Sequence, residues 1–131
     1  MRAFIKRWKW LSLFTGAVII LSVAPIPDNA PMEDVPLIDK WVHFVMYAGL
    51  VFAGWFDRMH NKSALNIWLF AVALCLFASL LGGLLELVQG CTSFRSCELL
   101  DFYADTIGAV LATVIAVLVH HLLLGVVRRP S

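Results

Sequence analysis

Residues 64–88 read ALNIWLFAVALCLFASLLGGLLELV, 25 consecutive positions with one charged side chain, Glu86, near the far end. A hydrocarbon core is spanned by about 20 mostly apolar helical residues, within a range of about 17–25. This run meets that length, and it lacks the period-two alternation that a membrane β-barrel strand requires. A second long run covers residues 99–127, and two shorter ones cover residues 8–24 and 41–56. The run at 41–56 is short for a span unless the residues just before it join the helix. Pro25, Pro27, Pro31 and Pro36 all fall in the connection between the first two runs, where proline punctuates rather than breaks helices. The prediction is an all-α membrane protein. It is one domain over residues 1–131, with four transmembrane helices at about 8–24, 41–56, 64–88 and 99–127.

Composition supports the same solvent. The chain has 131 residues, 61% hydrophobic and 15% charged, against about 45–50% and about 25% in an average soluble domain. Small domains bury the smallest fraction of their surface, so this much apolar area calls for hydrocarbon around it. Disorder needs the opposite composition. With a net charge of +1, a clustered basic face for nucleic acid is not expected.

Basic residues orient the helices, because Lys and Arg accumulate in short cytoplasmic segments. Placing both termini in the cytoplasm puts Arg2, Lys6, Arg7, Lys9, Arg58, Lys62, Arg128 and Arg129 inside and leaves only Lys40 and Arg95 outside. Trp8, Trp10, Trp55 and Trp68 then form an inner aromatic belt, and Trp41 and Tyr103 an outer one. A basic start before an apolar run also describes a signal peptide, and Ser22-Val23-Ala24 resembles a cleavage site. Pro25 would follow the cut, which disfavours cleavage, so the first helix is read as retained.

Polar residues within so apolar a chain carry the functional information. Asp39, His43 and Tyr47 are spaced i, i+4, i+8 on one helix face, beside Lys40. Glu86 and Gln89 close the third helix, Asp101 and Asp105 open the fourth, and Arg95 lies on the loop between them. The orientation brings all these groups to the outer ends of their helices. Gly82, Ser79 and Cys75 continue one stripe below Glu86, and Gly108, Ala112 and Ala116 another beyond Asp105. Such small-residue seams let helices approach closely in lipid, which turns the polar groups into the bundle. The expected pocket is therefore Asp39, Lys40, His43, Tyr47, Glu86, Gln89, Arg95, Asp101 and Asp105. Either Lys40 and Arg95 pair with two of its acids and another stays protonated, or a cation binds. Carboxylates, imidazole and Gln89 suit a hard or borderline divalent ion. No HExxH or CxxC spacing supports zinc, so no metal and no cofactor is assigned. Cys91 and Cys97 flank Arg95 in an outer loop, where oxidation is permitted; a disulfide between them is expected. Cys75 reads as a packing residue, and His60, His120 and His121 as solvated or interfacial.

The same residues carry a family resemblance. Asp39-Lys40-x-x-His43-Phe44-x-x-Tyr47-x-x-Leu50 resembles the DKxxHFxxYxxL signature of VanZ-like membrane proteins. Glu86-x-x-Gln89, Arg95 and Asp101-x-x-x-Asp105-x-x-Gly108 resemble that family's ExxQ, R and DxxxNxxG elements, except that Asp105 stands where Asn is usual and adds a potential negative charge. The resemblance implies a multi-pass protein of the bacterial cytoplasmic membrane, linked through the family's name-giving member to resistance against the glycopeptide teicoplanin. It brings no assigned reaction. The leading expectation is an envelope protein whose outer pocket binds a lipid headgroup, glycan or glycopeptide, with Arg95 and Lys40 holding an anionic group. The alternative is a membrane-embedded hydrolase or transferase acting on a lipid-linked substrate. In it, His43 or Glu86 is the general base, Asp105 its partner and Arg95 the anion clamp. A proton-coupled transporter fits less well, because the seams below Glu86 and Asp105 are apolar. Partners are membrane lipids and the envelope ligand; oligomeric state is not set by the sequence.

Overall fold

A computed structural model of the chain describes residues 2–24, 37–61, 65–92 and 98–127, with side chains described between residues 5 and 123 of those ranges. The described residues form five helices and no strand: α1 (Arg2–Arg7), α2 (Lys9–Val23), α3 (Ile38–His60), α4 (Ile67–Gly90) and α5 (Leu99–Val127). α2 and α4 end where α3 and α5 begin, so the four long helices alternate in direction. α3 packs most extensively on α5, α4 packs on α5, and α2 packs on α3.

Two helices, α4 and the Leu99–Leu123 part of α5, are long and apolar enough to cross a membrane. α2 is apolar but has 15 residues, about 22 Å at about 1.5 Å per residue. α3 has 23 residues, and its polar ends lower its hydropathy. The outward faces are hydrocarbon-like throughout. Leu76, Leu80, Leu84 and Leu87 on α4, and Ile107, Leu118 and Leu122 on α5, are each more than half exposed.

α3 is longer than the apolar run at 41–56, because charges that look like a helix end lie inside it. Asp57 is buried, and its Oδ2 accepts the Leu11 backbone N–H at 2.9 Å. That N–H belongs to the first turn of α2, where no intrahelical acceptor exists. Arg58 is also buried; its Nη2 donates to the Leu65 carbonyl at 2.6 Å and its guanidinium sits 4.7 Å from the Phe70 ring centre. α4 starts at Ile67 rather than 64 because Asn66 caps it, its side-chain oxygen accepting from Trp68 N at 2.8 Å and Leu69 N at 3.4 Å. Such a cap satisfies donors that the first turn leaves open.

The core is a seam of small residues on α5. Ala109, Ala112, Ala116 and Val117 are buried against Leu50 and Val51 of α3 and Ala71, Leu74 and Ala78 of α4. On α4 the buried stripe runs from Glu86 through Gly82, Ala78 and Leu74, while Ser79 and Cys75 are only half-buried. The seam predicted along Ser79 and Cys75 is thus displaced by about one position around the helix. Trp55 is likewise in the core, edge-on to Phe70 at 5.3 Å, and not in an aromatic belt. Trp41, Trp68 and Tyr103 remain exposed.

Gly108 sets the tightest approach. A Cβ there would lie 2.4 Å from the Phe44 carbonyl oxygen and 3.1 Å from its carbon. Gly108→Ala must therefore push α3 from α5, and a loss of about 1–3 kcal/mol is expected from overpacking. Gly16, with nothing within 4 Å of its added Cβ, is the control. Gly16→Ala should hold or raise the thermal midpoint of the detergent-solubilised chain, and Gly108→Ala should lower it.

Candidate functional site

The ends of α2 and α4 and the starts of α3 and α5 form the polar end of the bundle. His43 lies one turn into α3, one turn nearer the end than the buried Tyr47. Its Nδ1 is 2.9 Å from Asp105 Oδ1 on α5. Glu86 Oε1, from the last turns of α4, lies 3.9 Å from the same nitrogen. On the far side of the ring, Nε2 faces Asp101 Oδ2 at 4.0 Å. His43, Glu86 and Asp105 are all at least 95% shielded from solvent.

Gly82 explains how α4 reaches this group. A Cβ at residue 82 would stand 2.7 Å from Asp105 Oδ2, so only a glycine lets the Asp105 carboxylate lie against the α4 backbone. Glu86, one turn further along α4, is then drawn towards the same place. Its other oxygen, Oε2, accepts the Glu98 backbone N–H at 3.1 Å, which ties the end of α4 to the start of α5.

Nearer the surface, Lys40 is held by three carboxylates. Its Nζ is 2.5 Å from Asp39 Oδ2, 2.6 Å from Glu98 Oε2 and 2.6 Å from Asp101 Oδ1. Asp39 and Glu98 each accept a hydrogen bond from the ammonium, and Asp101 pairs with it by charge. The expectation that Lys40 holds an external anion therefore changes: its charge is spent on joining α3 to α5. Glu98 belongs to this group and was not among the residues expected from the sequence. The available signal was an acid immediately before a predicted helix start and three residues ahead of Asp101.

Gln89 also departs from the expected pocket. It is buried, and its Nε2 donates to the Ser22 carbonyl at 2.8 Å, satisfying one of the carbonyls left open at the end of α2. Gln89 therefore tethers α4 to α2 and does not point at His43. Arg95 and Cys97 lie outside the described residues, and with them the anion clamp and the Cys91–Cys97 pairing.

Among the described residues, five carboxylates (Asp39, Glu86, Glu98, Asp101 and Asp105) gather around one ammonium and one imidazole. Burying uncompensated charge is costly, and the Glu86 and Asp105 pair lies deepest. An apolar groove of about 460 Å³ between α4 and α5, lined by Leu80, Leu84 and Phe102 among others, ends at Glu86 and Glu98. At the opposite end, His120 lies against Trp55 and His121 against Trp68, with ring centres 6.2 and 5.7 Å apart, and His60 stacks on Phe56.

No protein-family model, curated protein or solved structure matches this chain.

Lys40→Met should be clearly destabilising, since it leaves three carboxylates facing one another. Breaking a buried pair costs about 3–5 kcal/mol; with Asp39 and Glu98 half-exposed, about 1–3 kcal/mol is expected here. Denaturant or thermal unfolding in detergent checks it, with Lys6→Met, on an exposed residue, as a change expected to stay within about 0.5 kcal/mol.

Proposed function

We propose that the chain is a multi-pass protein of a bacterial cytoplasmic membrane, VanZ-like, in which α2, α3, α4 and α5 all span and both termini are cytoplasmic. Its polar end then faces outward and engages the polar part of an envelope lipid, glycan or glycopeptide, which links it to glycopeptide (teicoplanin) resistance. One observation carries this reading: the buried convergence of His43, Glu86 and Asp105 from three helices at one end of an otherwise apolar bundle. Apolar packing does not require these groups, and ionisable residues at such depth are expensive unless they serve a function. The α4–α5 groove supports a ligand that combines chain and headgroup, since an acyl or prenyl chain seated there would bring its head to Glu86 and Glu98. The VanZ-like assignment rests on the motif spacing from Asp39 to Gly108.

A second reading, a membrane-embedded hydrolase or transferase on a lipid-linked substrate, is favoured by the His43–Asp105 contact. A carboxylate holding one imidazole nitrogen orients the ring for proton transfer, and Glu86 is close enough to share the proton. Both readings place the ligand at the same atoms.

Two measurements test these statements. Alkaline phosphatase fused after residue 30 or residue 95 should be active in a bacterial host, and after residue 62 inactive; the reverse would overturn the four-span orientation. The full chain in nanodiscs should bind teicoplanin or a polyprenyl-diphosphate-linked glycopeptide precursor, and His43→Ala should weaken that binding at least about tenfold. Product release from the precursor, lost in His43→Ala, would decide for the enzyme. Binding without product decides for the binding protein, and no binding of either probe overturns both.

A further inference from the structure

We propose that His43, Glu86 and Asp105 form a binding site for one first-row divalent cation. Each residue offers a ligand atom within 4.8 Å of the other two. His43 Nδ1 is 2.9 Å from Asp105 Oδ1 and 3.9 Å from Glu86 Oε1. Two atoms bound at about 2.1 Å to a shared ion stand about 3.0 Å apart at a right angle and about 4.2 Å apart when opposite. The observed separations fall close to that interval without rearrangement of the helices.

The orphaned oxygens point the same way. Glu86 Oε1 and Asp105 Oδ2 are buried and have no hydrogen-bond partner among the described residues, in side chains of residues only 4% and 1% exposed. Buried carboxylate oxygens require a donor or a cation. Lys40 cannot supply it, being committed to Asp39, Glu98 and Asp101. His43 does not supply it either, because its Nδ1 is 3.9 Å from Glu86 Oε1, too far for a hydrogen bond. A divalent ion neutralises the two carboxylates and takes the imidazole as a neutral ligand.

The donor set selects the ion. One imidazole and two carboxylates are too few oxygens for Ca²⁺ and suit Zn²⁺ or Mn²⁺. Asp101, facing Nε2 across the ring, occupies the position from which carboxylates orient metal-binding histidines. Three protein ligands leave at least one position for an outside oxygen. The ion would thereby give an anionic headgroup the positive charge that Lys40 does not offer. This last step rests on the ligand-binding reading above; the ion site itself does not.

The test uses the full chain, stripped with chelator and held in detergent. Titration with Zn²⁺ followed by calorimetry, and with Mn²⁺ by electron paramagnetic resonance, should show one ion per chain. Glu86→Gln and Asp105→Asn, which keep side-chain shape, should each weaken it at least tenfold, while Asp39→Asn changes it less than threefold. Bound Mn²⁺ in the unmodified chain should also show spin coupling to an imidazole nitrogen, a readout that does not depend on any variant folding. Absence of binding at millimolar ion, absence of that coupling, or equal affinity in Glu86→Gln and Asp105→Asn would each overturn the site. Ion binding without capture of the lipid-linked precursor upholds the site and removes the ligand reading. Capture of the precursor by the chelated chain, with no ion taken up, does the opposite.

Discussion

The contact between Gly108 and the Phe44 carbonyl is the constraint on which the polar end depends. With no side chain at residue 108, α5 lies against the α3 backbone, beside His43 on α3 and about one turn from Asp105 on α5. At the usual 8–10 Å between helix axes, larger side chains would hold apart groups that here meet at hydrogen-bond distance. Gly82 repeats the arrangement between α4 and α5, where the glycine lets Asp105 reach the helix surface and so places Glu86 beside it. Two small residues on two helices thereby set the position of three ionisable ones.

Charge at the polar end is organised in two layers. In the outer layer the Lys40 ammonium lies within 2.6 Å of three carboxylates, two of them half-exposed. In the inner layer two carboxylates share one imidazole and are more completely buried. Each of these two acids keeps one oxygen without a hydrogen-bond partner among the described residues. Buried polar atoms without a partner mark places where something else completes the structure. The Asp39, Lys40 and Glu98 group and Gln89 each join one helix to another, and His43, Glu86 and Asp105 form the more deeply buried group.

The opposite end of the bundle shows the same economy with charges. Asp57 and Arg58 are adjacent in sequence, yet they do not pair. One accepts from the first turn of α2, the other donates to the Leu65 carbonyl and lies on Phe70. Asp57 serves an N–H that the start of α2 leaves open, and Arg58 a carbonyl of the connection that precedes α4. Asn61 likewise donates to the Arg7 carbonyl. These side chains close the bundle where the loops enter, and leave no comparable cluster of acids there among the described residues.

Much of this was determined by the sequence alone. The period and length of the apolar runs specify helices, and the placement of Asp39, His43, Glu86, Asp101 and Asp105 at alternating helix ends requires them to share one end of an antiparallel bundle. Local capacity to hydrogen-bond and hydrophobic length are properties of a segment, so they can be read from it. What only the tertiary structure decided is which partner each polar group takes. Lys40 was equally suited to an external anion, Gln89 to the pocket and Glu98 to solvent. Asp57 and Arg58 looked like the end of a helix that in fact encloses them. Those outcomes depend on the rotation of each helix about its axis and on distances of a few tenths of an ångström between helices. They are set jointly by residues as distant in sequence as Phe44 and Gly108, and no single stretch of the chain contains that information.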